Sequence, residues 1–402
     1  MRGTKTFPDW FLKIKEDARR FYQQAEAPRN KYINLNVIHP EEFDPEAFTQ
    51  VDIPDKITQE ETSGYAVFVD NRLVEWKSLS DGLDIYPLEE ALEHPVFRKH
   101  FSKAVEPDRD KFTAYHYAML KSGLFIYVEP DARIEKPFHL LFIHASDRAS
   151  MHPHVLIVAD RFSRFTYLEE AFSINDEITG FYNPVVEIFA LDESRIYFSS
   201  IFHMNEKVLS YGRRRGIIGR NALIDINHGW LGGSINTNHT ELLMDAPGAE
   251  GEDTQIFFGR DSQTHFLTTR LLHRVGDSTG NVLVRGALKD RAHSIFDGLI
   301  RIYHGAQRSN AFLEEHTILL NPGARSDAIP GLEIEANDVR CTHSATVGEL
   351  EEERIFYLQS RGIPYEEARK MLVMGFFEFA IEKIPVEQAR ERLINLIEEK
   401  WN

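Results

Sequence analysis

The spacing of hydrophobic and polar positions changes twice along the chain. In residues 1–135 many apolar residues recur at three- and four-residue steps, which predicts amphipathic helices. The first of these begins after Pro8 and carries Trp10, Phe11, Ile14, Ala18 and Phe21. Two short alternating runs, 65–69 and 73–76, flank Asp70-Asn71 and predict a strand pair. We therefore predict a mixed region of helices and short strands over residues 1–135.

Residues 136–345 lose the helical period and alternate between apolar and polar positions instead. The centres of the later apolar runs follow one another at intervals of roughly 14 to 18 residues: Val284, Ile302, Leu320 and Ile334. Short strands at such regular spacing, with no helices between them, predict the stacked coils of a parallel β-helix, that is, a β-solenoid. A β-sandwich is the main rival, but it usually spans only about 100 residues.

The helical period returns after Gly348 and continues to the end of the chain. Gly362 suits the left-handed end of one helix, Pro364 begins a second, and Pro385 separates it from a third. We predict a small helical domain over residues 346–402. Three helices of this size make a limited core, so we expect them to pack on the solenoid or on another protein.

Composition narrows the class of protein. The formal net charge of −17 argues against a nucleic-acid partner, and a single cysteine excludes an intramolecular disulfide framework. The first residues lack the apolar core of a signal peptide, and no run approaches the roughly 18 apolar residues of a membrane span. We expect a cytoplasmic protein without membrane contact.

Four common enzyme motifs are absent from this sequence. It has no GxGxxG, GxxxxGK[ST], HExxH or GxSxG pattern. His152-Pro-His154 could offer two metal ligands, but a histidine pair without further ligands is more often structural. Solenoid enzymes that cleave polysaccharides cluster carboxylates on one outer face. The candidates for that alternative are Asp225, Asp245, Asp253 and Asp261, which show no paired arrangement.

The segment 338–348 carries the strongest candidate chemistry. Cys341 and His343 are two residues apart, so a β-strand places both side chains on one face. Thiol and imidazole are ligands for iron, zinc or copper. A buried small residue beside a hydrogen-bonded histidine is the alternative. Because two side chains cannot fill a metal's coordination shell, a metal here needs ligands from a partner.

Several motifs in the last third of the chain resemble the SufB/SufD family of iron–sulfur cluster assembly proteins. They are Arg285-Gly-Ala-Leu-Lys289, Ser294-Ile-Phe-Asp-Gly298, Pro330-Gly-Leu-Glu-Ile-Glu335 and His343-Ser-Ala-Thr-Val-Gly348, with Phe356-Tyr357 and Gly375-Phe376 after them. Within the family, the length, the single cysteine and the Cys-x-His-x-x-Thr-Val-Gly form are more typical of SufD than of SufB.

The resemblance implies a right-handed parallel β-helix between two helical regions and a non-catalytic scaffold role. It implies pairing with a SufB-like subunit and docking of a SufC-like ABC ATPase on the C-terminal helical domain. It maps a metal-site histidine at the subunit interface onto His343, with Cys341 beside it, to hold iron or a transient iron–sulfur cluster. It does not decide whether FAD binds the assembled complex or whether the isolated chain forms a homodimer. A purely structural or ATPase-activating role, with no metal ligand from this chain, also stays open.

Overall fold

The computed structural model describes residues 7–53 and 61–401; the first residues, which bear on the signal-peptide expectation, lie partly outside these ranges. The chain is mainly β, with a β-solenoid of about 8 turns and helices at both ends. This confirms the predicted solenoid with helical flanks, while its handedness stays a prediction. No helix in the described ranges is long and apolar enough to span a membrane.

The strands of the described residues follow one another through the chain as β1 (Gly64–Val69), β2 (Arg72–Ser78), β3 (Leu83–Pro87), β4 (Gly123–Val128), β5 (Arg133–His144), β6 (Ala149–Met151), β7 (His154–Ala159), β8 (Arg164–Ser173), β9 (Gly180–Tyr182), β10 (Val185–Ala190), β11 (Arg195–His203), β12 (Val208–Ile218), β13 (Leu223–Trp230), β14 (Ile235–Met244), β15 (Glu250–Gly259), β16 (Thr264–His273), β17 (Thr279–Leu288), β18 (His293–Ile302), β19 (Asn310–Leu319), β20 (Arg325–Ile334) and β21 (Arg340–Glu349). The helices are α1 (Asp9–Gln24), α2 (Leu88–Ala91), α3 (Pro95–His100), α4 (Lys111–Met119), α5 (Glu352–Ser360), α6 (Tyr365–Ile381) and α7 (Glu387–Trp401), with 3-10 turns at Leu35–Val37 and Pro40–Glu42.

Two sheets form the walls of the solenoid. The first sheet has the order β2-β1-β5-β8-β11-β13-β15-β17-β19-β21, and the second runs β20-β18-β16-β14-β12-β10-β7-β4-β3. Within the coils neighbouring strands are parallel and in register, so inward residues stack on inward residues. The predicted pair at 65–69 and 73–76 is confirmed as the antiparallel hairpin of β1 and β2.

The turns from the second sheet to the first repeat one backbone conformation. Asp131, Phe162, Glu193 and Asn221 each have a positive φ between 50° and 64°, at successive turns from the second sheet to the first. Each donates its backbone N–H to a carbonyl oxygen of the next coil, as Phe162 does to Asp192. The left-handed residue therefore turns the chain while keeping its donor satisfied.

The interior of the solenoid is mostly apolar and closely packed. Phe257 of β15 is fully buried, and its ring fills the space in which a Cβ at Gly286 of β17 would lie. The middle coils also enclose charge: the Glu169 carboxylate accepts a 2.6 Å hydrogen bond from Arg214 and further bonds from Tyr167 and Ser200. These donors satisfy the carboxylate, as a buried ion pair requires, whereas Nε of Arg214 is buried without a hydrogen-bond partner among the described residues.

Helices cover the outer faces of the two sheets. In the N-terminal region α1 to α4 pack through Phe11, Phe97 and Phe101 on the second sheet. Two short helices, α2 and α3, precede α4, which is buried around its whole circumference because it lies between α1 and the sheet. Helices α6 and α7 pack on the first sheet through Val373, Phe377 and Leu393.

The three-part division of the chain stays a prediction. Residue 136 lies in β5 and residue 345 lies in β21, so the first sheet passes through both predicted limits. The three predicted C-terminal helices are present as α5, α6 and α7, and Gly362 after α5 has the positive φ, 89°, expected of a helix end.

Candidate metal site at the open end of the solenoid

The C-terminal end of the solenoid is open. In the described part of the chain β21 pairs with β19 alone, and β20 pairs with β18 alone. Nearly every residue of β21 is exposed, and β20 contains no fully buried residue. The last coil therefore presents two free strand edges and an uncovered interior.

Cys341 and His343 lie on the inward face of this last coil. Cys341 is in register with Ala311 of β19, and His343 is in register with Leu313. Ala311 and Leu313 are both buried in the core. Because neighbouring in-register residues point to the same side, both site residues continue inward columns of the solenoid. The predicted shared face is present, and the structure places the pair in the last coil of the solenoid.

The two side chains differ in their surroundings. Cys341 is half-buried and packs against the interior apolar cluster, whereas His343 is exposed because no further coil covers it. Burial raises the pKa of the Cys341 thiol above its usual range. The thiol is therefore protonated at neutral pH in the isolated chain, and a metal bound there would displace its proton.

The end of the solenoid has too few ligands for a complete metal site. Among residues 7–53 and 61–401, no three His, Cys, Asp or Glu side chains are grouped closely enough to hold a metal ion. A thiol and an imidazole on one face fit two positions of an iron or iron–sulfur coordination shell. The remaining positions would have to come from another chain.

Glu315 is a polar residue near this end that sequence reasoning missed. It lies on β19, inward, in register with Ala345 of β21. Burial raises its pKa to about 7, and Thr317 donates a hydrogen bond to one of its carboxylate oxygens while the other has no partner. The alternation of Leu313, Glu315 and Thr317 in the sequence was the signal that could have placed this carboxyl inside.

The other histidine candidates belong to the packing of the N-terminal helices. Nδ1 of His154 lies 3.1 Å from Nε2 of His116 in α4, and its Nε2 lies 3.2 Å from Oε2 of Glu187. All three side chains are buried. Glu187 also accepts the backbone N–H groups of Ser102, Ala104 and Val105. Burial lowers the pKa of the nearby His152 to about 3. These contacts tie α4 and the preceding loop to the solenoid.

The four aspartates considered for polysaccharide cleavage do not share a face. Asp253 points into the core, where Gln255 and Thr269 donate hydrogen bonds to it. Asp225 lies on the outer side of β13, and Asp245 and Asp261 lie at corners. The clustered outer carboxylates that such an enzyme needs are thus not assembled by these residues.

The C-terminal helices carry several large apolar side chains that are exposed to solvent. Phe356 of α5 is 71% exposed and Phe379 of α6 is 53% exposed, with Tyr357 and Met371 also in solvent. Between α6 and the outer side of β19 and β21 lies a crevice of about 500 Å³, lined by His316, Thr346 and Phe376 among others. Large exposed aromatic side chains in one small domain indicate a protein-binding surface.

Comparisons with known proteins find relatives in iron–sulfur cluster assembly. A family model described as "SUF system FeS cluster assembly, SufBD core domain" matches residues 142–376. The iron-sulfur cluster assembly protein SufD of Bacillus subtilis is 35% identical, over 77% of this chain and 72% of that protein.

Two staphylococcal proteins are more distant relatives. The iron-sulfur cluster assembly SufBD family proteins of Staphylococcus saprophyticus and Staphylococcus epidermidis are each 26% identical over 74% of this chain. These alignments span 64% of the staphylococcal proteins, slightly less than two thirds of their length. The family model covers more than half of the chain, and the chain therefore belongs to the SufB/SufD family of iron–sulfur cluster assembly proteins, with the greater likeness to SufD that the sequence predicted.

Proposed function

We propose that this chain is a non-catalytic scaffold subunit of a cytoplasmic iron–sulfur cluster assembly complex. Its open coil would pair with a SufB-like subunit, and His343, with Cys341 beside it, would help to hold iron or a nascent cluster at that interface. The observation that carries the proposal is the position of both residues on the inward face of the last, uncovered coil. A pairing subunit would cover this face and bring further ligands.

The sequence of the edge strand supports pairing through β21. Arg340 and Glu349 lie at its two ends, and the residues between them are uncharged apart from His343. Natural edge strands that must not pair are usually protected by charges or proline. The neighbouring edge, β20, carries Asp327, Pro330 and Glu333 and is protected in this way. A partner strand would therefore extend the first sheet at β21.

The exposed face of α5 and α6 supports a second contact, with a SufC-like ATPase. Phe356 and Phe379 lie on helices and not on the strand edge at β21, so the ATPase would use side chains other than those that pair with the SufB-like subunit. Since the chain has no phosphate-binding loop, nucleotide hydrolysis on that partner would supply the energy for opening or closing the interface.

The test of the metal role is His343→Ala in the reconstituted complex, with Thr342→Ala as the matched control. Thr342 is the neighbouring residue on the outer side of β21. We expect cluster formation to fall on the order of tenfold or more for His343→Ala, as for loss of a metal ligand, and to be unchanged for Thr342→Ala. Undiminished cluster formation with the complex intact would remove the role of His343.

A purely structural or ATPase-activating subunit is the second candidate. The lack of a three-ligand group among the described residues favours it, because every further ligand must come from elsewhere. The double variant with Cys341→Ala and His343→Ala distinguishes the two proposals by the iron content and absorption spectrum of the complex. Unchanged iron and spectrum would support the structural role.

A further inference from the structure

Helix α7 ends beside a cavity whose wall includes an unusual lysine. The cavity, of about 450 Å³, is open to solvent and lies between α7 and the turns of the first sheet. Lys400, in the last turn of α7, lines this cavity together with Leu231, Glu206 and Arg260. Its side chain is only 10% exposed.

Neutral acceptors hold the amine of Lys400. Its Nζ donates to the carbonyl oxygen of Leu231 and to Oε1 of Gln263. The Gln263 amide is oriented by its own bonds, since Nε2 donates to the carbonyl of Gly233 and Oε1 accepts from the backbone N–H of Arg260. A carboxylate oxygen of Glu206 lies 3.8 Å away, beyond hydrogen-bond distance, and itself accepts a 2.8 Å bond from Arg260.

Two acceptors are the number that a neutral amine requires. A neutral lysine has two N–H donors and a free electron pair, whereas the ammonium ion has three donors and needs a third acceptor or a counterion. Burial lowers the pKa of Lys400 to about 7, because the charged form is poorly solvated in this position. The free electron pair of the neutral form makes this nitrogen a nucleophile.

We propose that Lys400 is an acylation site, at which the amine takes an acyl group from an acyl phosphate or an acyl thioester that enters the cavity. The nitrogen attacks the acyl carbon, a C–N bond forms, and the C–O or C–S bond breaks. The phosphate or thiolate leaves, and the proton lost by nitrogen passes to solvent. The cavity beside the amine, of about 450 Å³, has room for a short acyl group.

Acylation would change how α7 is attached to the solenoid. An amide nitrogen has one N–H, so it cannot serve both Leu231 and Gln263 as the amine does. The next residue, Trp401, is held through its carbonyl oxygen by a 2.8 Å bond from Lys289. The proposal is therefore a covalent modification that loosens the last turn of α7 from the first sheet.

The direct test measures acylation of the full chain at pH 7 in two arms, with acetyl phosphate and with a short acetyl thioester. Peptide mass spectrometry compares Lys400 with Lys13 and Lys77, both exposed lysines of the same molecule. We expect Lys400 to react roughly tenfold faster than either, since an ordinary lysine is almost entirely protonated at this pH. The arm with the larger ratio of the Lys400 rate to the Lys13 rate identifies the donor that the cavity favours. A Lys400 rate equal to or below that of the exposed lysines would overturn the proposal.

Two variants that change charge in opposite directions complete the test. Gln263→Glu places a carboxylate at the amine and should slow acylation of Lys400 about tenfold by favouring the ammonium form. Glu206→Gln removes the nearby carboxylate and should leave the rate equal or faster. Lys13 should be unaffected in both variants. If Gln263→Glu does not slow the reaction, or Glu206→Gln slows it, the fraction of neutral amine at Lys400 does not set the rate, and the proposal is overturned.

Hydrogen exchange of the α7 backbone then measures the consequence. We expect at least a severalfold increase of exchange in the last turn after acetylation, and no change in a Lys400→Arg chain treated in the same way. Unchanged exchange in fully acetylated protein would overturn the link between the modification and α7.

Discussion

The two ends of the solenoid are finished in different ways. At the N-terminal end the first sheet closes with the antiparallel hairpin of β1 and β2, whose edge carries Arg72, Glu75 and Lys77. The turn of this hairpin is fixed by Asp70, whose carboxylate accepts hydrogen bonds from the backbone of Ala145 and Ser146. At the C-terminal end β21 stops with an uncharged centre and an exposed inward face.

This difference shows that an open end is not an unavoidable result of stacking coils. The same chain closes one end with a hairpin whose outer strand carries charges, a recognised protection against pairing. At the other end it places a thiol and an imidazole where a further coil would cover them. An unprotected edge with an inward thiol and imidazole is understandable if another subunit completes the coil, as we propose.

The largest expected effect contrasts a middle coil with the open coil. Phe257→Ala removes a fully buried ring and should lower the free energy of unfolding by about 3–5 kcal/mol. Ile334→Ala, on the exposed edge strand β20, should cost less than about 1 kcal/mol in the isolated chain. Chemical denaturation measures both. Similar costs at the two positions would mean that the end is covered in the isolated chain, for example by a second copy.

The next effect concerns pairing at the open end. Ala345→Arg places a charge on the inward face of β21, and Ser344→Arg places the same charge on its outer face. Covering the inward charge should weaken binding of a SufB-like partner by about 2 kcal/mol, or roughly thirtyfold, with a smaller effect of Ser344→Arg. Calorimetric titration measures both affinities. Equal weakening by the two variants would contradict pairing through the inward face.

The attachment of α7 to the first sheet, in its covered part, should weaken as the pH becomes acidic. Arg392 of α7 and His203 donate hydrogen bonds to Glu170, at 2.8 Å and 2.6 Å. Burial alone would raise the pKa of Glu170, but His203 and Arg392 lower it from 4.5 to about 2.

Because the pKa of Glu170 is depressed on folding, its carboxylate stabilises the folded chain fully above about pH 4.5. That contribution is lost as the pH falls towards 2. Glu170→Gln should remove this pH dependence and cost about 1–3 kcal/mol at pH 7. Denaturation curves at several pH values measure both effects, and a pH dependence that persists in Glu170→Gln would contradict the assignment.

The smallest expected effect concerns the corner residues with positive φ, which occur both in the middle coils and near the open end of the solenoid. Phe162 and Arg308 have φ values of 61° and 58°, which glycine adopts without a Cβ penalty. Phe162→Gly should stabilise the chain by roughly 0.5–1 kcal/mol. Arg308→Gly should gain less, because it also removes the exposed ion pair with Asp277. Thermal unfolding compares the two. Destabilisation by both variants would show that the corners are not strained.

Part of the candidate site was predictable from the sequence because it depends on local spacing. Two-residue periodicity placed Cys341 and His343 on one face, and the prolines and glycines after Gly348 separated the three helices. The placement of Glu315 inside the last covered coil followed the same period and was overlooked. The metal role of Cys341 and His343 stays a prediction.

The sequence by itself determined the elements, since strand alternation, helical period and turn residues act over a few neighbouring positions. It determined the solenoid through the repetition of these strands and the family motifs. Only the tertiary structure decided which coil stays uncovered, that Glu169 and Arg214 meet inside, and that Lys400 faces two neutral acceptors. These features join residues far apart in the chain, and their energies depend on burial, which local spacing does not specify.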